Sequence, residues 1–134
     1  MKAADTNLVI AAFASWHEHH EAARSALDSG LRLIDHCALE TYSVLTRLPP
    51  PHRAAGTVVR DFMAARFPGP PLRLSASAYR NFVLSLPDHG VAGGSAYDAL
   101  VDAIAAACAA ELVTCERRAF PIYERYGVRA RLLP

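Results

Sequence analysis

Lysine is almost absent from this chain, since Lys2 is the only one among fourteen basic residues. The formal charge of +1 is typical neither of a strongly basic nucleic-acid binder nor of an acidic tail, so any polyanion binding depends on local clustering. The three cysteines show no C-x-x-C spacing and are expected to be reduced thiols. No apolar run reaches the ~18 residues of a membrane span and no basic-then-apolar leader opens the chain, so we expect a cytoplasmic protein.

Short β-type segments alternate along the chain with longer helical ones. The length of 134 residues, with 52% apolar and 20% charged residues, suits one soluble globular domain over residues 1–134. Helices are predicted at 17–29, 38–48, 53–67, 75–86, 95–110 and 117–126, with a short one from residue 6. Strands are predicted at 2–5, 31–34, 72–74, 111–114 and 128–133. This alternation indicates an α/β fold with a parallel sheet covered on both faces.

Four acidic residues are predicted where a strand gives way to a helix or in a first helical turn: Asp5, Glu40, Asp98 and Glu116. A parallel sheet gathers the carboxyl ends of its strands at one edge, where ligands bind. Carboxylates brought together there repel one another unless a cation lies between them, and oxygen ligands suit Mg²⁺ or Mn²⁺ better than zinc. Each acid alone has an ordinary reading as a helix cap. Together they predict a metal-dependent phosphoryl-transfer site.

Several motifs carry a family resemblance over essentially the whole chain. The Asp-Thr-Asn at 5–7 and the segment 39–48 around Glu40 look like the opening half of a PIN domain. The Tyr-Asp-Ala-Leu-Val at 97–101, the Ala-rich helix after it and the segment 112–120 are similar to its closing half. In particular the chain resembles the VapC-type toxins, the ribonuclease halves of bacterial toxin–antitoxin modules. The resemblance implies a three-layer α/β/α fold with a central, mostly parallel sheet of four to five short strands flanked by helices.

The resemblance also implies roles for individual residues. It makes Asp5, Glu40, Asp98 and Glu116 the catalytic carboxylates, holding one or two Mg²⁺ or Mn²⁺ ions that activate a water against an RNA phosphodiester. The family often has Asp in the place of Glu116, which reaches one methylene further. Four other residues are expected to support the site or contact substrate, Asp102 because it lies one helical turn after Asp98 rather than through the resemblance: Asn7, Asp102, Thr114 and Arg117. Ordinary roles stay open for them: a helix cap, an arginine pair, a strand-end side chain and solvated surface, respectively.

The same resemblance implies a VapB-type antitoxin as partner, and a homodimer or toxin–antitoxin hetero-oligomer. A PIN-like module that binds RNA or protein without cleaving stays open because of Glu116. A small phosphatase of the haloacid-dehalogenase type is disfavoured, because it would need a second Asp where Asn7 stands and a catalytic lysine later in the chain than Lys2, the only lysine.

The histidines are predicted to have no part in the site. His17, His19 and His20 lack the spacing of H-E-x-x-H and favour a solvated helix start. His36 is predicted to lie near a loop without a partner.

Overall fold

Four short parallel strands form the sheet in the computed structural model, which describes residues 1–118 and 129–133. The strand order is β2-β1-β3-β4, with both central strands paired on two sides. The strands are β1 (Lys2–Ala4), β2 (Arg32–Leu33), β3 (Glu111–Thr114) and β4 (Ala130–Leu132). This arrangement confirms the α/β class and the parallel sheet.

Helices connect and cover these strands. They are α1 (Thr6–Phe13), α2 (His20–Asp28), α3 (Asp35–Arg47), α4 (Gly56–Arg66), α5 (Ala76–Ser85) and α6 (Ser95–Ala107), and a 3₁₀ turn (Leu86–His89) follows α5. In the described ranges no helix is long and apolar enough to cross a membrane.

The core forms around the Ala-rich strand β1. Ala3 and Ala4 are fully buried, and their small side chains share one apolar cluster with Leu8 of α1, Ile104 of α6 and Leu112 of β3. By propensity the segment is a poor strand, but pairing with a neighbour on each side determines its conformation. The chain therefore leaves the middle of the sheet at Ala4, directly before Asp5.

One predicted position in the acidic set is wrong in detail. Helix α3 begins at Asp35, so Glu40 lies in its second turn rather than its first. Asp98 lies in the first turn of α6, as predicted, and the 3₁₀ turn and a Gly-rich loop come before this helix. Asp5 alone of these three follows a strand directly.

Other predicted boundaries also shift. The helix predicted from residue 17 begins at His20, because residues 17–19 form a turn in which the His19 N–H donates to Nδ1 of His17. The strand predicted at 72–74 contributes only a single bridge, from Leu72 to Ile34. Most of the helix predicted at 117–126 lies outside the described residues.

Candidate active site

Asp5 is fixed by the two elements that meet at it. Its backbone N–H donates to the Val113 carbonyl of β3 at 3.3 Å, which holds it at the edge of the sheet. Its side chain caps α1, where Oδ1 accepts the Leu8 N–H at 3.0 Å. The carboxylate is buried, and the positive end of the helix dipole favours its charge. The capping role that was open to Asn7 therefore belongs to Asp5.

Three of the four predicted acids meet at one cavity. Asp5, Glu40 and Asp98 line a space of about 50 Å³ at the carboxyl edge of the sheet. The other residues around it are Thr6, Asn7, His36, Cys37, Tyr97 and Val101. A space of this size holds a few water-sized groups. The sheet edge thus gathers acids from α1, α3 and α6, as the sequence predicts for these three.

The acids in this cavity influence one another electrostatically. Burial raises the pKa of the Asp98 carboxyl, the negative charge of Glu40 raises it further, and His36 lowers it. Like charges at close range make ionisation harder, and a cation between them would reverse this effect. The charge of Glu40 therefore disfavours ionisation of Asp98 at the same cavity.

His36 and Tyr97 complete the wall of the cavity, and the sequence prediction for His36 was wrong. Nε2 of His36 lies 3.4 Å from Oε2 of Glu40, one helical turn later on α3. Its ring stacks on Tyr97, with the centroids 5.2 Å apart and the planes 4° from parallel. The i,i+4 spacing of His36 and Glu40 was a local signal that could have revealed this pair.

Glu116 lies at a second, larger cavity. Its backbone N–H donates to Oγ1 of the buried Thr114 at 2.9 Å, and its own Oε1 accepts the Arg118 N–H at 3.0 Å. With Arg117 it lines a space of about 320 Å³ that does not include the other three acids. Asn7 is exposed and lines both cavities, so they adjoin at its side chain.

Two histidines that were predicted to be solvated lie in this second cavity. His17 and His19 line it next to Glu18 and Glu116. Burial, followed by the charge of His19, lowers the pKa of the His17 imidazole. The prediction of a simple solvated helix start is therefore wrong for His17, which is partly buried against the Glu116 side of the site.

Asp102 lies one turn beyond Asp98 on α6 and faces a third cavity. It is only 2% exposed, and within the described residues neither carboxylate oxygen has a hydrogen-bond partner. Burial, followed by the charge of Asp98, raises its pKa from 3.8 to about 8. Its cavity of about 170 Å³ lies against α5 and the 3₁₀ turn and includes His89. No arginine in the described part of the chain pairs with Asp102, contrary to one of its predicted roles.

The donor set suits a hard divalent cation. In residues 1–118 and 129–133 no three His, Cys, Asp or Glu side chains are close enough to form a ready-made ligand cage. Mg²⁺ does not need one, because it usually keeps several waters and binds through one or two carboxylates. Carboxylates of Asp5, Glu40 and Asp98 around a cavity for water-sized groups fit that mode of binding.

Comparison with known proteins agrees with the geometry. The family described as PIN domain matches residues 3–125. Ribonuclease VapC40 of Mycobacterium tuberculosis is 49% identical over 133 residues, which are 99% of each chain. Ribonuclease VapC27 of the same species is 39% identical over 123 residues, covering 92% of this chain and 82% of that one.

Solved structures show the same fold at low sequence identity. FitAcB from Neisseria gonorrhoeae superposes with a TM-score of 0.65 at 18% identity, over 97% of this chain and 96% of that one. VapBC2 from Rickettsia felis, bound to a DNA fragment from its promoter, gives a TM-score of 0.65 at 16% identity over 99% and 98%. With its parallel sheet, its acidic edge and these relatives, the chain belongs to the PIN-domain family, among relatives named ribonuclease VapC.

Proposed function

We propose that this protein is a Mg²⁺- or Mn²⁺-dependent endoribonuclease and the toxin of a type II toxin–antitoxin module. The observation that carries the proposal is the meeting of Asp5, Glu40 and Asp98 at one cavity, where Glu40 raises the pKa of Asp98. Near full-length similarity to proteins named ribonuclease VapC supports the reaction class.

The three acids form the catalytic centre in this proposal. A bound Mg²⁺ or Mn²⁺ would supply a water of lowered pKa and neutralise charge on the phosphate oxygens. Asp5 presents a carboxylate whose direction is set by the Leu8 N–H. Nε2 of His36 lies 3.4 Å from the Glu40 carboxylate without a hydrogen bond to it in the described residues, so the ring borders this carboxylate at the cavity wall.

Glu116 and its neighbours act from the adjoining cavity. Thr114 holds the Glu116 backbone, which sets where its longer side chain begins. Arg117 is exposed beside it and binds a phosphate flanking the cleaved bond through its guanidinium. Asn7 lies between the two cavities and contacts the substrate backbone as it passes from one to the other. Asp102 lies one turn beyond Asp98 on α6 and supports the site as a neutral carboxyl, because burial and then the charge of Asp98 raise its pKa to about 8.

A VapB-type antitoxin is the proposed partner, in a homodimer or a toxin–antitoxin hetero-oligomer in the cytoplasm. Helices α3 and α4 pack together. They expose three large apolar side chains: Leu39, Tyr42 and Val58. Such exposed apolar side chains on neighbouring helices suit a protein interface. On α4, Val58 is exposed while the next residue, Val59, is buried.

RNA cleavage by the purified chain tests the proposed activity. We expect Mg²⁺ or Mn²⁺ to support cleavage, EDTA to stop it, and Asp5→Asn or Asp98→Asn to abolish it with the fold intact. The amide oxygen of Asn at position 5 can still accept the Leu8 N–H, so loss of activity there reports chemistry. Asp61→Asn is the matched control, because Asp61 is exposed on α4 and pairs with Arg60. Cleavage by Asp98→Asn at the parental rate would refute the assignment, and cleavage in EDTA would refute the metal dependence.

A second candidate is a PIN-like module that binds RNA or protein without cleaving. The placement of Glu116 outside the cavity of the other acids favours it. RNA binding without cleavage at any divalent-ion concentration would establish this alternative.

A further inference from the structure

Tyr97 is an exposed aromatic ring at the mouth of the acidic cavity. It is 58% exposed although it lines the same space as Asp5, Glu40 and Asp98. Contact between a large aromatic side chain and water is unfavourable, so burying the ring against a ligand lowers the free energy. An exposed aromatic ring beside a polar site is therefore a common binding anchor. Tyr97 lies in the first turn of α6, directly before Asp98, and it lines the cavity of the proposed reaction centre.

The ring is held in place from one side. His36 stacks on it in an offset parallel arrangement, with centroids 5.2 Å apart and planes 4° from parallel. The His36 side chain is itself only 19% exposed and lies against Glu40. His36 therefore packs against the Tyr97 ring, and Tyr97 is still 58% exposed. A platform fixed in advance loses little conformational entropy when a second ring stacks on it.

We propose that Tyr97, backed by His36, is a stacking platform for one unpaired nucleobase next to the cleaved phosphate. The inference rests on the proposed ribonuclease function and names how that site holds its substrate. An exposed flat ring selects a flat ligand, and each base of a single strand presents a flat face, whereas bases inside a duplex do not. Because the platform and the acids share one cavity wall, the stacked base is a direct neighbour of the scissile bond.

Binding of a short fluorescent single-stranded RNA, with Ca²⁺ in place of Mg²⁺, tests the platform. Stacking of one base contributes about 1–3 kcal/mol, so Tyr97→Ala is expected to weaken the affinity by about 5- to 150-fold. Tyr97→Phe, which keeps the ring, should stay within about twofold of the parent, since the face is unchanged. Tyr79→Ala is the matched control, because Tyr79 is 51% exposed on α5 and does not line this cavity.

The position of the stacked base is found by replacing bases of the RNA one at a time with an abasic ribose. In the parental protein one replacement should weaken binding as much as Tyr97→Ala does, and in Tyr97→Ala that same replacement should have no further effect. A duplex RNA should bind both proteins equally. Additive losses at every position would overturn the proposal.

Parallel cleavage assays separate this inference from the proposed function. If the parent cleaves RNA while Tyr97→Ala keeps the parental Kd and KM, the platform is wrong and the ribonuclease stands. If the parent does not cleave but Tyr97→Ala still weakens RNA binding, the platform stands and the nuclease is wrong. A loss confined to binding of a partner protein, with RNA affinity unchanged, would also overturn the platform.

Discussion

Asp102 makes the stability of this protein depend on pH in a direction that can be worked out. Its carboxyl pKa rises from 3.8 in a free chain to about 8 in the folded state, because burial and then Asp98 disfavour the charge. The folded protein therefore holds a proton that the unfolded chain releases between these two values. Stability from this group is fully present below the lower pKa and declines as the pH rises towards the higher one.

The size of the effect follows from the exchange of a single proton. One pH unit changes the free energy of unfolding by about 1.4 kcal/mol when only the folded state keeps the proton. From about pH 5 to about pH 7 this gives at most about 2.7 kcal/mol. The exchange of one full proton is the upper limit, so we expect about 1–2.5 kcal/mol. That is a large part of the stability of a small domain.

Urea unfolding of the parent and of Asp102→Asn, in EDTA across this pH range, measures the effect. Asn cannot ionise, so the variant should gain on the parent steadily as the pH rises. The buried amide of the Asp102→Asn variant has a cost that does not depend on pH. Comparing the slopes of unfolding free energy against pH, rather than single values, removes this cost. Asp61→Asn, at an exposed position, should show a profile parallel to the parent. Parallel profiles for Asp102→Asn as well would refute the reasoning.

Three further predictions concern the acidic edge. Glu40→Gln should lower the pKa of Asp98, because the Glu40 charge raises it; carboxyl NMR titration checks this, and an unchanged pKa would contradict it. Thr114→Val removes the acceptor of the Glu116 N–H, so we expect the free energy of unfolding in urea to fall by about 1 kcal/mol and RNA cleavage to slow. Thr114→Ser, which keeps the hydroxyl, should restore both. An equal loss in the two variants would count against this role. Arg117→Ala should raise KM with little change in kcat and reduce the salt dependence of RNA binding; a fall in kcat alone would place Arg117 elsewhere in the reaction.

Local patterns predicted the parts of the fold that depend on neighbouring residues. Helix α6 begins at Ser95 as predicted, because a run of small apolar residues is a strong helical signal that needs no tertiary information. Strand β1 is different, since its alanines favour no strand and are held there by two neighbouring strands. The turn before His20 was missed, because the side chain of His17 closes it by accepting the His19 N–H.

The candidate site divides in the same way. The place of Asp5 follows from a strand end and a helix start that are adjacent in the sequence. The stacking of His36 on Tyr97 joins residues far apart in the chain, and no periodic pattern carries it. Glu116 was predicted to join the other acids, but the turn fixed by Thr114 directs it to the adjoining cavity.

Asp98 and Asp102 show why shared helical spacing does not mean a shared site. Four residues of an α-helix advance by about 6 Å and rotate about 40° past a full turn. That displacement is comparable to the width of a cavity for a few waters, so Asp98 reaches the acidic cavity while Asp102 lies deeper, against α5 and the 3₁₀ turn. The two carboxylates still interact through their charges. Asp98 thus disfavours ionisation of Asp102, and a carboxyl that keeps its proton is a poor metal ligand.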